Sequence, residues 1–317
     1  FDDTTGTITK YVGDDSNVEI PSEIEGVPVT TLGEFAFEGC ESLTSITIPD
    51  SVTTIGNGAF YYCESLTSIT IPDSVTTIDE FAFWECSSLT SITLSDSLTT
   101  IGDYTFAYCE SLTSITIPNM VTTIGKYAFE GCTGLTSVTL SDSVTTIDEY
   151  AFTDCSSLTS ITLSDSLTTI GKYAFYRCTN LTSITLPDSL TTIGYGAFCG
   201  CTGLTSIKIP DSVTSIDGYA FCDCTGLTSL TLPDSLTTID KYALAGCTNL
   251  ETIINFSAST QDIDPTSFVN TYGEGGIAYA YPSNTEFIDR ITEAGYTVKY
   301  ISAETLEILG NIKATVI

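Results

Sequence analysis

A 23-residue segment returns along most of this chain, and that period limits the fold more than any other feature. The stretch LTSITIPDSVTTIDEFAFWEC, from Leu66 to Cys86, is followed by LTSITLSDSLTTIGDYTFAYC, from Leu89 to Cys109. Phenylalanine stands at Phe37, Phe60, Phe83, Phe106, Phe129, Phe152, Phe175, Phe198 and Phe221, with Leu244 in the next place. Cysteine follows three residues later in each copy, from Cys40 to Cys247. A fixed period of this length is the mark of a solenoid. A rung this short cannot bury enough apolar surface to offset its own chain entropy, so neighbouring rungs must share faces and strand hydrogen bonds.

Each rung divides into parts. The alternation at Ile69, Thr70 and Ile71 has period two and predicts a strand. Pro72 ends it, because proline cannot donate to a ladder. Asp73 and Ser74 form a turn, and Val75 to Ile78 reads as a second extended piece. The glycine or aspartate after it, as at Gly56, Asp79, Gly102 and Gly125, is expected to supply unusual dihedrals. Phe81 to Cys86 reads as one helical or 3₁₀ turn.

Residues 1–40 read as an N-terminal cap with an atypical first rung. There Ile20-Pro21 matches Ile71-Pro72, Val29 to Leu32 matches Val75 to Ile78, and EIEGVP is inserted between them. Residues 41–250 carry the regular rungs. Residues 251–301 read as a degenerate rung and a cap of strand, helix and strand, with Tyr279 and Tyr281 in the places of Ile69 and Ile71. Ser283 to Glu286 has the spacing of a capping box for a helix that Gly295 stops. Residues 302–317 are a tail. The start at Phe1, with Met120 the single methionine, reads as a trimmed or mature chain.

Composition removes several classes of function. Asp and Glu number 40 against 9 Lys and Arg, a formal net charge of -31. That field repels nucleic acid and anionic lipid, and favours cations or a basic partner. Without histidine, Ser/His and Cys/His nucleophile systems are excluded, and no Gly-rich phosphate loop is present, so the chain is expected to be no enzyme. No apolar run nears the ~20 residues of a membrane span.

The rung IPDSVTTIGNGAFYYC, from Ile48 to Cys63, its 23-residue spacing, the first rung IPSEIEGVPVTTLGEFAF and the degenerate exit cap together resemble the BspA-type leucine-rich repeat, also called the Treponema pallidum class. The likeness spans roughly residues 17–301. It implies an α/β solenoid: a right-handed superhelix with a parallel β ladder, a convex side of turns or short 3₁₀ segments, and about ten to eleven rungs. It also implies a secreted or cell-surface protein of a host-associated bacterium. Such a protein would bind a protein partner, a host extracellular protein or glycan, in an adhesion-like role. The alternative is a repetitive spacer or surface-coat element without a specific ligand. A monomer is expected.

Candidate sites follow from positions that differ between rungs. Tyr61, Tyr62, Trp84 and Tyr108 lie just after the core phenylalanine and form the candidate partner contact. The ladder cysteines read as small inward hydrophobes. Cys199 and Cys222 lie outside that ladder, one rung apart, and are candidates for a rung-to-rung disulfide. A zinc site from Cys199, Cys201, Cys222 and Cys224 would require two of them to leave the core. The aspartates from Asp50 and Asp73 to Asp234, with Asn119 in the gap, read as turn formers, with weak calcium binding as the functional alternative and no other cofactor. Ser68, Thr70 and their copies, Lys208 excepted, point outward from the strand and carry little chemistry.

Overall fold

Side-chain alternation sets the first ladder. In Ser68–Thr70 the central isoleucine is buried and its two neighbours are exposed, as a half-buried strand requires. The computed structural model describes residues 1–271, 275–302 and 305. In it Ser68–Thr70 pairs in parallel and in register with Ser91–Thr93 on one side and Ser45–Thr47 on the other. The ladder extends from Asn17–Glu19 to Thr297–Tyr300 in three paired runs, with breaks between Ser91–Thr93 and Ser114–Thr116 and at 183–185, which form no strand. The second extended piece forms a ladder of its own. Thr54–Ile55 pairs with Thr77–Ile78, and equivalent pairs occur in three runs between Thr7–Ile8 and Asp262–Ile263. The coils number about 13, because both caps continue the ladders beyond the 23-residue copies.

The third side is not helical. The amides of Phe81, Phe83 and Glu85 donate to Asp103, Thr105 and Ala107 of the next rung at 3.1, 2.9 and 2.9 Å. The amides of Trp84 and Cys86 turn back to Phe81 and Phe83 at 3.0 and 3.2 Å. Phe81 and Glu85 have φ of 59° and 54°, which no right-handed helical turn contains. The 3₁₀ turn expected here is therefore replaced by linked turns, because alternate amides serve the neighbouring rung. The unusual dihedrals also fall later than expected. Gly56, Gly102 and Gly125 do not have positive φ. A Cβ on Gly56 would come within 2.9 Å of the Leu32 carbonyl oxygen, and one on Gly125 within 2.8 Å of Gly102, whereas other rungs place Asp79 or Asp148 at the same position.

The core is a file of rings. Phe37, Phe60, Phe83 and their successors to Phe221 are at most 2% exposed. Neighbouring rings stack at 5.1–5.4 Å. Each contributes about 1.5–3 kcal/mol by burial. Tyr11 covers the open end, stacked on Phe37 at 5.4 Å. Hydroxyls tie the rungs together as well: Thr67 donates to the Thr44 carbonyl at 3.1 Å and Thr90 to that of Thr67 at 3.0 Å.

Both ends follow local chemistry. The EIEGVP insertion is a hairpin, Glu23–Ile24 against Val27–Pro28, turning through Glu25 and Gly26 at positive φ. At the other end, Ala278 rather than Tyr279 pairs with Ile253 and takes the inward place. Ala278 and Ala280 are fully buried, so the expected register was one residue off. The helix Thr285–Glu293 is capped by Asn284, whose side chain accepts from the Phe287 amide, and not by Ser283. Asn284 is buried and Ser283 is exposed, so the inner residue is the one that reaches the helix start. Apart from Ser302 and Thr305, the 302–317 tail lies outside the described residues.

Candidate functional site

Outside the core runs a second file of rings. Phe81, Tyr104, Tyr127, Tyr150 and Tyr173 occupy the position two residues before the core phenylalanine. All have φ between 53° and 59°. Holding a bulky residue there costs about 1–2 kcal/mol. Stacking at 4.7, 4.6, 4.6 and 5.0 Å along the file offsets that cost. Where Gly196 interrupts the file, Tyr195 supplies the ring, 5.4 Å from Tyr173 and 5.2 Å from Tyr219.

The four candidate contact residues are brought together at one end of this side. Tyr61 stacks on Trp84 at 4.7 Å with their planes 12° apart. Tyr62 stands edge-on to both at 4.8 Å. Tyr108 meets Trp84 edge-on at 5.7 Å, and Phe35 meets Tyr61 at 5.7 Å. Tyr62 is the exposed member, and the other three are half-buried. The position carrying Tyr62 and Tyr108 also has positive φ, at 58° and 60°, which turns these rings outward against their neighbours.

Carboxylates rim the cluster. Burial raises the Tyr61 hydroxyl above its ordinary pKa, and Glu85 and Glu38 add to the shift. Tyr62 is raised by its surroundings and by Glu85 and Glu64. Tyr108 is pushed up to about 12 by burial and then by the charge of Glu130. Glu130 is itself raised by its half-buried setting. The patch is therefore both aromatic and acidic. Tyr176 lies apart from it, under the Arg177 guanidinium at 5.0 Å.

The other candidates are placed as follows. Ladder cysteines from Cys63 to Cys247 are fully buried. Cys201 and Cys224 lie inside the core and donate to the carbonyls of Phe175 and Phe198 at 3.1 Å. Cys199 is half-buried and Cys222 buried, with their sulfurs and an Asp223 oxygen within 4.8 Å of one another. Among the described residues the turn aspartates form no such group of three. Asp73 instead accepts from the Asp96 amide at 3.3 Å. Outward Ser68 and Thr70 are exposed, as expected. Among the described residues no helix is long and apolar enough to cross a membrane.

Sequence reasoning missed the left-handed backbone beneath the rings. A signal for it existed: Gly58 and Gly196 share the position of Tyr104, and Gly131, Gly200 and Gly246 share that of Tyr62. Exchange between glycine and an aromatic is an exchange at positive φ.

Comparison with known proteins finds several similar chains. A protein from Bacteroides ovatus described as a leucine-rich repeat protein is 27% identical, with 90% of this chain and 92% of that one covered and a TM-score of 0.51. A leucine rich cell surface protein of Faecalibacterium prausnitzii is 28% identical, covering 94% and 91%, at a TM-score of 0.48. The pneumococcal vaccine antigen PcpA is 17% identical, covering 94% and 92%, at 0.52. No curated protein sequence matches significantly. The profile of the BspA type leucine rich repeat region matches residues 30–159, 99–225 and 145–274. The chain is a member of the BspA-type leucine-rich repeat family.

Proposed function

We propose that this chain is an exported or cell-surface protein that acts by binding rather than catalysis, and that it holds a protein partner in an adhesion-like role. The joined cluster of Tyr61, Tyr62, Trp84 and Tyr108 carries this reading. Large rings fixed by a rigid backbone supply contact area at little entropic cost. The exposed strand face, by contrast, repeats from rung to rung and offers no such joined rings. Glu38, Glu64, Glu85 and Glu130 around the rings favour a partner segment carrying Lys or Arg. The family resemblance supports export.

Trp84 is the single tryptophan, so its fluorescence reports on the patch. A Lys/Arg-rich peptide is expected to change that emission in a salt-sensitive way, and an acidic peptide of equal length is not. Replacing Tyr61, Tyr62 and Tyr108 together by Ala should remove the response. An unchanged response in that variant, or none in the native protein, would sink the assignment. Capture of glycans but not proteins from an extracellular array would move the partner class.

One observation favours the second reading, a spacer without a ligand. Ser68, Thr70 and their copies give the exposed strand face almost the same chemistry in every rung. A spacer would give no peptide response and no captured partner.

A further inference from the structure

One cluster lies away from the aromatic patch and has no part in the binding role proposed above. At the position of Cys199 and Cys222 other rungs carry Tyr61, Trp84, Ala107, Glu130 or Ala245. Only these two successive rungs place thiols there, and Asp223 follows directly. The two sulfurs and a carboxylate oxygen lie within 4.8 Å of one another. The ladder cysteines from Cys63 to Cys247 give their S–H to a phenylalanine carbonyl of the preceding rung. The Cys199 and Cys222 sulfurs instead lie close to each other and to the Asp223 carboxylate. Three donor groups thus converge on one another and not on the backbone.

We propose that Cys199, Cys222 and Asp223 form a three-donor site for a soft divalent metal of the zinc type. Two sulfur donors select zinc, cadmium or cobalt over calcium and magnesium, which take oxygen. Metal–sulfur bonds of about 2.3 Å put tetrahedral ligands roughly 3.8 Å apart, which falls inside the observed spacing. On binding, two S–H protons leave to solvent as two metal–sulfur bonds form, and no electrons move. The fourth position is left for water.

The site is held in place by the solenoid itself. The Cys199 amide donates to Gly196 at 3.0 Å, that of Cys222 to Tyr219 at 3.0 Å, and that of Asp223 to Ala245 of the next rung at 2.7 Å. Asp223 has φ of 56°, which throws its side chain outward. Its carboxylate then lies over Gly246, where a Cβ would come within 2.2 Å of Oδ1. A side chain at 246 would push the ligand away. Two uncompensated thiolates beside a carboxylate would repel one another, and a divalent ion removes that repulsion.

The test uses the full chain, purified with a reductant, and cobalt(II) as the probe. One equivalent is expected to give a thiolate-to-cobalt charge-transfer band that zinc displaces. Cys199→Ala should abolish it; alanine already stands at this position at Ala107 and Ala245, and a circular dichroism spectrum checks the fold. Asp223→Asn should weaken cobalt by about tenfold or more. No band, or an equal band in Cys199→Ala, overturns the proposal. A thiol count on protein purified without reductant supplies the other arm. Ten free thiols instead of the 12 in the sequence would show a Cys199–Cys222 disulfide and overturn it too.

Discussion

The sulfur of Cys86 lies 3.2 Å from the carbonyl oxygen of Phe60, one rung earlier, and donates its hydrogen there. That carbonyl also accepts the Cys63 amide of its own rung at 3.1 Å. Cysteine suits the site because it is small and apolar yet keeps one weak donor. The same contact recurs from Cys63 with Phe37 to Cys247 with Phe221.

Burial makes these thiols poor acids, and stability must therefore depend on pH. Desolvation pushes Cys132 and Cys201 up to about 12, against about 8.5 in an unfolded chain. The folded pKa is the higher one. Its stabilising contribution is thus complete below about pH 8.5 and is lost as pH rises toward 12. Each thiol then removes up to about 1.4 kcal/mol per pH unit. Urea midpoints at about pH 7 and about pH 10 should fall steeply between the two. Cys132→Ala should flatten that slope. An unchanged slope in the variant would show that the thiol does not contribute.

Tyr127 gives a prediction that reverses the usual ranking of glycine and alanine. Its φ is 55° and its ring stacks at 4.6 Å on both Tyr104 and Tyr150. Tyr127→Ala and Tyr127→Gly both lose the stacking. Alanine alone keeps the left-handed strain, which costs about 1–2 kcal/mol. Tyr127→Gly should therefore be the more stable of the two by up to about 1 kcal/mol in urea unfolding. Alanine more stable than glycine would mean that the backbone has relaxed out of the left-handed region.

The period itself made the two ladders and the ring core legible, because Ile69, Ile78 and Phe83 each repeat at one spacing and each points inward. The convex backbone was not legible. Periodicity names which residues are buried, and Ala82, Phe83 and Cys86 fit a helical turn as well as linked turns. What decides is that the amides of Phe81, Phe83 and Glu85 are needed by the next rung, a demand that no single rung displays. The cap register slipped for a related reason. In Gly276 to Pro282 the tyrosines looked like the apolar set, but small alanines fit beneath the helix Thr285–Glu293. The aromatic patch is legible as four positions, but the joined rings and the rim of carboxylates depend on how neighbouring rungs stack.

The net charge of -31 predicts a response to salt. Carboxylates such as Asp73 and Asp96 recur at the rung spacing of roughly 4.8 Å, well inside a Debye length of about 10 Å at 0.1 M salt. Raising ionic strength should raise the melting temperature by screening this repulsion. Calcium and magnesium at equal ionic strength should act alike. A further increment with calcium alone would place an ion among the turn aspartates.

Gln261 joins the last full rung to the cap. Its Oε1 accepts from Asn255 at 2.6 Å and Asn284 at 2.8 Å, and its Nε2 donates to the Leu236 carbonyl at 2.8 Å. All three side chains are buried. Asn284 also caps the helix, and Asn255 accepts from the Ser257 amide at 3.0 Å. Gln261→Ala would leave the Asn255 amide and the Leu236 carbonyl without their partner, while Asn284 keeps only the Ser257 carbonyl at 3.3 Å. Each buried group so stranded costs about 1–3 kcal/mol. Gln261→Leu fills the volume but strands the same groups, so it should be nearly as damaging as Ala. Unfolding should also lose cooperativity, with the cap releasing before the central rungs, because contacts in a solenoid run only between neighbours. Hydrogen exchange reads this directly: faster exchange at Ala278 and Ile291 with Phe129 unchanged is the expected pattern. Uniform acceleration across all three would show that the network supports the whole stack and not its end.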